Sequence, residues 1–434
     1  MRVSTSMIFN GNVNALNDKS AALLKTQQQI SSGHRILTPA DDPVASAQVL
    51  ELTQSAAVNT HYQAAQDTAK STLGLIDSQM SAATDVLARV RELAVQSGNS
   101  ALNSSDRKAI ATELRARFDE LIGIGNTTDG NGQFLFSGYQ GANQPFAGSV
   151  ENGVSYGGDD GQRALRVSGS LLMPVSVTGS DLFMNIRNGN GTFEAAAQSA
   201  VANTGSGIID AGAVTDQSLW ASSANSGQLA VNFWKDPVTS VTYYDLVDKT
   251  TGNSLFTGTP SSNGGPASTF THAYTSGDKV PFSGLAAPYN DFGVAVTITG
   301  TPASGDSFTV NRSTSGSLFS MLSSMIRMVE APPAPGTTGN AQLQNQLGVV
   351  LGNLSQVEDN VLRVRADVGA RLNELDDLGA SSKGLDIQYQ SRISELQDVD
   401  FNKAITDLTR MQTELQATQQ SFVKIANLSM FNYL

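Results

Sequence analysis

The strongest constraint on the fold is a seam of apolar and small side chains spaced alternately three and four residues apart. This spacing is typical of helices packed along one another. The seam occurs in two separate stretches of the sequence, and neither contains an internal proline. We therefore predict one helix from Pro43 to about Gln96, which would be roughly 80 Å long at 1.5 Å per residue. We predict a second long helix over residues 340–380. The seam residues are Ala69, Leu73, Ile76, Met80, Ala83, Leu87, Val90 and Ala94, and then Leu343, Leu347, Val350, Leu354, Val357, Val361, Val364, Val368, Arg371, Leu375 and Leu378.

A shorter apolar run and a change in composition complete the predicted architecture. Ile110, Leu114, Phe118 and Leu121 follow "NSSD", whose Ser and Asp residues are good N-caps, and this predicts a third helix. Between residues 137 and 317 the helical period disappears, and alternating segments such as "FGVAVTITG" and "VTYYDLVDKTTGNSLFTG" predict strands. The segment "APPAPGTTG" cannot be helical and predicts a return turn into the second long helix.

These patterns predict an α+β protein. Both ends of the chain form a long, discontinuous helical bundle or coiled-coil stalk, which carries a β-rich insertion at its tip. We assign residues 1–42 and 383–434 to a terminal coiled-coil layer for assembly, residues 43–136 and 318–382 to the helical stalk, and residues 137–317 to a β-rich, variable outer region.

The two ends carry weaker seams of their own. Their apolar surface is too small to offset the entropy lost when both ends become ordered, so we expect them to fold against neighbouring chains. The predicted assembly residues are Val13, Leu16, Leu23, Ile30, Ile405, Leu408, Met411, Leu415, Phe422, Ile425 and Leu428.

The stretch "SSGHRILTPADDP" at residues 31–43 lies between two predicted helices. Gly33 suits a left-handed position after the first helix, Asp42 suits the N-cap of the next, and Pro43 suits its first turn. A catalytic role for Asp41 and Asp42 would need a third polar group on the next turn, where small and apolar residues follow instead. We therefore interpret the stretch as a joint.

Composition excludes several classes of protein. A net charge of -12 without a basic cluster disfavours nucleic acid. No apolar run is long enough to cross a bilayer. The lack of cysteine excludes disulfides and thiolate metal sites. The N-terminal segment has no apolar core of a classical signal peptide, so the chain either stays in the cytoplasm or leaves by another route.

No motif for a cofactor, a metal or catalysis stands out. His34, His61 and His272 are far apart and lack metal-binding spacing. We interpret "YGGDDGQR" at 156–163 as a hairpin turn rather than a calcium loop, and "NGNG" at 188–191 is not a phosphate-binding loop. We therefore expect no enzyme activity and no cofactor.

The joint "SSGHRILTPADDPVAS" closely resembles the one near the N terminus of flagellins and their relatives. Five further segments resemble the hook–filament junction branch of that family: "MRVSTSMIF", "GQFLFSGYQ", "YGGDDGQRALRVS", "GTPASGDSFTV" and "LSMFNYL". The resemblance covers about residues 1–182 and 292–434.

This resemblance implies a structural, non-enzymatic component of the bacterial flagellum that joins the hook to the filament. It implies export through the flagellar type III apparatus and an extracellular location. The implied partners are other copies of the chain in a tubular assembly, a neighbouring hook-associated protein, flagellin and an export chaperone that holds the C-terminal region. Neither nucleic acid nor membrane insertion is expected.

Two alternatives stay open at this stage. One is flagellin itself, although the "MRVST" start and the "FNYL" end are unusual for flagellins. The other is a secreted adhesin or enzyme carried on the β region, where Trp220, Trp234, Tyr243 and Tyr244 could line a groove. Exposure of these aromatic side chains in one cleft would favour that second alternative.

Overall fold

The computed structural model describes residues 5–198, 202–222, 227–261, 269–287, 289 and 291–427. Long helices come from both ends of the chain and strands from the middle, which confirms the predicted α+β class. The α-helices of the described part are α1 (Thr5–Ser32), α2 (Pro43–Ser97), α3 (Ser104–Gly125), α4 (Gln217–Trp220), α5 (Leu318–Glu330), α6 (Thr337–Gln397) and α7 (Phe401–Asn427), and a short π-helix covers Ser180–Met184.

The two predicted long helices are confirmed as α2 and α6, and α6 is longer than expected. The proline-rich return turn is confirmed over residues 331–336, which are not helical, but the last three residues of "APPAPGTTG", Thr337, Thr338 and Gly339, belong to α6, contrary to the prediction. The start of α3 differs from the prediction. Its N-cap is Asn103, whose side-chain oxygen accepts from the N–H of Asp106 at 2.9 Å. The Asp106 carboxylate in turn accepts from the N–H of Asn103 at 3.2 Å, so "NSSD" forms a capping box and the first turn rather than a segment before the helix.

The strands between the helices are short. They are β1 (Phe146–Ser149), β2 (Gly153–Tyr156), β3 (Ala164–Arg166), β4 (Leu172–Pro174), β5 (Ile186–Arg187), β6 (Phe193–Ala197), β7 (Ile208–Ile209), β8 (Ala213–Val214), β9 (Gln228–Lys235), β10 (Thr242–Asp248), β11 (Asn253–Ser254), β12 (His272–Ala273), β13 (Lys279–Pro281), β14 (Val294–Thr299), β15 (Ser307–Arg312) and β16 (Ser315–Gly316). The larger sheet has the order β11-β10-β9-β15-β6, with β12 also pairing with β10. In the second sheet, β14 pairs with β13, β7 and β8.

These two sheets share one apolar core, to which β6, β9, β14 and β15 all contribute. The prediction that Phe292, Val294, Val296 and Ile298 of "FGVAVTITG" point the same way is confirmed, because all four belong to this core. Ala295 between them is also buried, at 6% exposure, but is not part of this core. The predicted strand pair around "KTTGN" is confirmed as antiparallel β10 and β11.

The prediction that the segment "YGGDDGQR" is a hairpin turn is wrong. The segment connects two hairpins, because β2 pairs with β1 and β3 pairs with β4. The Asp159 carboxylate accepts from the N–H groups of Tyr139 and Gly161, both at 2.9 Å. These bonds fold the connection against the "FSGYQ" loop and give Asp159 a structural role.

The chain divides into two compact units. Unit 1 comprises residues 1–67, 166–171 and 375–434, and unit 2 comprises residues 68–165 and 172–374. The helical seam is fully buried where α2 runs through unit 2, because all eight predicted seam residues of α2, from Ala69 to Ala94, are 0% exposed. Phe118 on α3 packs edge-on against Phe319 on α5, with 5.7 Å between ring centroids. Unit 1 contains α1, α7 and the joint.

Candidate assembly surface

Helices α1 and α7 pack along each other in unit 1. The Lys19 ammonium binds the Glu414 carboxylate, and the Thr26 hydroxyl lies 3.5 Å from the sulfur of Met411. Residue numbers that rise on α1 are therefore matched by falling numbers on α7, so the two helices are antiparallel. The two ends of the sequence thus meet within one chain.

The predicted assembly residues that the structure describes lie along this helix pair, but the pair does not bury them completely. Among the side chains of α1 and α7 whose burial the structure describes, only Thr26 and Ala404 are buried, at 7% and 6% exposure. Ile405 is 52% exposed and lies beside the seam rather than in it. The Ile425 side chain and Leu428 lie outside what the structure describes. The half-buried predicted residues are Val13, Leu16, Leu23, Ile30, Leu408, Met411, Leu415 and Phe422.

A second apolar face is open to solvent. Leu24 on α1 is 57% exposed, and Ile405 and Val423 on α7 are 52% and 55% exposed. Ile405 and Val423 are separated by five helical turns and so lie on the same side of α7. These side chains are therefore accessible to another protein on the outside of the helix pair.

The joint next to this pair has the backbone geometry predicted for it. Gly33 has a φ of +77°, and its N–H donates to the Gln29 carbonyl at 2.9 Å, which ends α1. Two further main-chain bonds connect the joint to the segment between α6 and α7. Arg35 N donates to the Gln397 carbonyl at 2.7 Å, and Val399 N donates to the Gly33 carbonyl at 2.9 Å.

Asp42 caps α2, which begins at Pro43. Its carboxylate accepts from the Ala45 N–H at 3.0 Å, and the Arg35 guanidinium lies 3.3 Å from its other oxygen. The Ala45 N–H, followed by Arg35, holds the pKa of Asp42 below its ordinary value. Asp42 is therefore a charged cap with its acceptor sites in use.

Asp41 closes the loop of the joint. It accepts from the Lys25 ammonium at 2.5 Å and from the N–H groups of Leu37 and Thr38 at 3.0 and 2.8 Å. The bond from Lys25 and those from the loop lower the pKa of Asp41 from 3.8 to about 2. Both carboxylates are occupied by structural bonds, which supports the interpretation of the stretch as a joint.

Sequence reasoning missed the polar partners of the joint. Besides approaching Asp42, Arg35 donates to the Leu396 carbonyl at 2.8 Å, and Asp398 lies 3.5 Å from the His34 ring. Lys25 lies 16 residues before Asp41, with the end of α1 between them, so no helical spacing predicted their contact. The role of Asp398 could not be predicted either, because it depends on a contact across more than 350 residues.

The remaining candidate groups lie apart. His272 stacks on Phe256 with 3.9 Å between ring centroids, and His61 is exposed on α2. Within the described ranges, no cluster of three metal-binding side chains occurs. The helices in those ranges include none that is both long and apolar enough to span a membrane.

The aromatic residues of the β region do not share a cleft. Trp220 is 3% exposed and packs on Phe193. Trp234 pairs with Tyr243 across β9 and β10, whereas Tyr244 points to the opposite face and contacts Phe256. The arrangement that would favour an adhesin or enzyme is thus not the one found.

This chain is similar in sequence and in structure to known flagellar proteins. The family model for the bacterial flagellin N-terminal helical region matches residues 3–141. Flagellar hook-associated protein 3 of Escherichia coli is 25% identical over 431 residues, which covers 99% of each chain. The crystal structure of the Xanthomonas campestris protein FlgL is 30% identical, with a TM-score of 0.64 over 79% of this chain and 99% of that one.

The chain belongs to the flagellar hook-associated protein 3 family. The flagellar junction protein FlgL of Legionella pneumophila is a second structural neighbour, 26% identical, with a TM-score of 0.69 over 81% of this chain and all of that chain. The resemblance found in the sequence is therefore confirmed, and the main interpretation is favoured over flagellin because the match to hook-associated protein 3 spans the β region too. Members of this family are structural components of the extracellular flagellum.

Proposed function

We propose that this chain is the structural subunit that joins the flagellar hook to the filament, and that it assembles through the α1–α7 pair. The observation that carries the proposal is the incomplete burial of that pair. Its seam is only half-buried, and Leu24, Ile405 and Val423 are exposed beside it. Packing against neighbouring subunits would remove this apolar surface from water.

The neighbours in this assembly are other copies of the chain, the adjacent hook-associated protein and flagellin. The subunit leaves the cell through the flagellar type III apparatus and acts outside it. Its role is mechanical and involves no catalytic step. Asp41 and Asp42, the one adjacent acidic pair in the joint, are already committed to Lys25, Arg35 and backbone N–H groups.

The seam of α7 is used twice in this proposal. An export chaperone first binds α7 as an amphipathic helix laid in a groove, and neighbouring subunits later bind the same stripe. Because the two uses exclude each other, chaperone binding would prevent assembly before export. The contact with α1 is the competing, intramolecular use, and it leaves Leu408, Met411, Leu415 and Phe422 only half-buried.

Replacing Leu415 by Asp tests the shared stripe. A charge without a partner in a packed seam is strongly unfavourable, so Leu415→Asp should lose both chaperone binding and filament formation. The matched control is Gln416→Asp, because Gln416 is exposed on the same turn. The measurements are calorimetry with the chaperone and filament counts in cells. Normal values for Leu415→Asp in both assays would refute the shared surface, and loss of only one would separate the two surfaces.

Deletion of the gene tests the junction role itself. Electron microscopy should show hooks without filaments, and flagellin should accumulate in the medium. Normal filaments on the deletion strain would contradict the proposal whatever the result for Leu415.

A further inference from the structure

The helical seam changes character where α2 enters unit 1. Going back from Ala69 by three, seven and ten residues reaches Gln66, Tyr62 and Asn59, which keeps the spacing of the seam. Gln66 and Asn59 are 4% and 5% exposed, so amide groups occupy positions that Leu, Ile and Met occupy further along. On α6 the residue seven positions after Leu375 is Ser382, also buried at 7%.

The two amide side chains donate hydrogen bonds to Ser382 and to the backbone at Val167. The Asn59 amide donates to the Ser382 carbonyl at 2.8 Å. The Gln66 amide donates to the Val167 carbonyl at 2.8 Å and to the Ser382 hydroxyl at 3.1 Å. Gln66 therefore connects α2, α6 and the tip of the β3–β4 hairpin. Its own carbonyl oxygen is buried and has no hydrogen-bond partner among the described residues. We call Asn59, Gln66 and Ser382 the polar layer.

The surroundings of the polar layer are loosely packed. A groove of about 440 Å³ runs beside it, and Val58 and Leu385 on its rim are 43% and 40% exposed. The adjoining stretch of α6, residues 379–384, reads "GASSKG" and is weak in helix propensity because it holds two glycines and two serines. In this section polar groups are inside and large apolar groups are at the surface.

We propose that the polar layer is a latch that lets the α2–α6 section of unit 1 open and close as a local unit, releasing the hairpin tip when it opens. Opening a seam of Leu, Ile and Met exposes apolar surface to water, which is costly. Opening the polar layer exchanges amide hydrogen bonds for bonds to water, at a much smaller net cost. Local opening in proteins concentrates in such weakly packed sections.

This device goes beyond the proposed assembly function and concerns the free subunit. It identifies a section of unit 1, separate from the α1–α7 pair, whose conformation can adjust between the free and the assembled chain. Because the test uses the monomer alone, its failure would leave the junction role standing, and failure of the junction role would leave the latch standing.

Hydrogen exchange of the full-length monomer tests the latch directly. Residues 376–388 and 347–364 belong to the same helix, but only the first stretch lies beside the polar layer. We expect its amides to exchange at least about tenfold faster. Equal or slower exchange in residues 376–388 would overturn the proposal.

The substitution Gln66→Leu separates a latch from a merely stabilising contact. Leu restores an apolar seam, so exchange in residues 376–388 should slow. The hairpin tip loses its bond to Gln66, so exchange in residues 167–171 should accelerate. A stabilising contact alone would accelerate both stretches, and that outcome, or no change in either, would refute the latch. The matched control is Gln48→Leu, the same change at an exposed position of α2 that does not line this groove, and it should alter neither stretch.

Discussion

Replacing Gly33 by Ala tests whether the joint needs a left-handed residue. Gly33 has a φ of +77°, and a Cβ added there would meet no heavy atom within 4 Å. The expected cost is therefore conformational rather than steric. A left-handed L-residue costs about 1–2 kcal/mol, and the more restricted unfolded chain returns about 0.4–1 kcal/mol. The net loss should be about 1 kcal/mol.

Gly11 provides the matched control, because it lies within α1 and also has open space around its Cβ. Its φ is not positive, so Gly11→Ala should stabilise α1 by about 0.8–1 kcal/mol. The two alanine variants should thus differ by about 2 kcal/mol, or roughly 30-fold in the opening equilibrium. Hydrogen exchange of α1 amides in the monomer measures that equilibrium. Gly33→Asn should recover part of the loss, because Asn tolerates the left-handed region. A neutral or stabilising Gly33→Ala would refute the reasoning.

Three further predictions concern charge, capping and the core. Asp42→Asn should be nearly silent, whereas Asp42→Ala should lower the melting temperature of unit 1, because Asn retains the cap to Ala45. Loss of function in Asp42→Asn with unchanged melting would require a role for the charge itself. The pKa of Asp41 falls from 3.8 in the unfolded chain to about 2, so its stabilising effect is complete above about pH 4 and is lost as the pH falls towards 2. Exchange in residues 34–42 should accelerate over that window, and Asp41→Asn should reduce the pH dependence to the part that belongs to Asp42, whose pKa is also lowered. Phe118→Ala should cost about 3–5 kcal/mol in denaturant unfolding of unit 2, since Phe118 is fully buried against Phe319. Leu172→Ala, at a 59% exposed site, should stay within about 0.5 kcal/mol, and equal effects would contradict the assigned core.

The sequence was most informative where one local pattern determines the outcome. The seam spacing predicted α2 and α6, and every predicted seam residue of α2 is fully buried in unit 2. The joint could be predicted equally well, because Gly33, Asp42 and Pro43 each meet a local backbone requirement. These requirements are the left-handed position after α1, the N-cap of α2 and the first turn of α2. The N-cap of α3 was predicted one to three residues too late, at Ser or Asp of "NSSD" instead of Asn103, since Asn, Ser and Asp are all good N-caps and the choice among them depends on the geometry.

The contacts between distant parts of the chain could not be predicted in the same way. The bond from Gln66 to Val167 joins residues about a hundred positions apart, and the pair of His34 and Asp398 joins residues much further apart. A buried Gln on a helix looks in the sequence like an exposed one, because only the partner that satisfies its amide distinguishes them. The polar layer therefore became visible only when α2, α6 and the hairpin tip were seen together.

The same seam pattern has two different outcomes in this chain, and the difference bears on function. In unit 2, the eight seam side chains of α2, from Ala69 to Ala94, are completely buried, whereas the seam of the α1–α7 pair in unit 1 is half-buried. Spacing determines which face of a helix is apolar, but the number of elements packed on that face determines how much of it remains in contact with water. In a pair of helices, each helix has only one packing partner, which is too little to cover its apolar face completely. The residual exposure of Leu415 and Phe422 is therefore consistent with the proposal that neighbouring chains in a tubular assembly cover this surface.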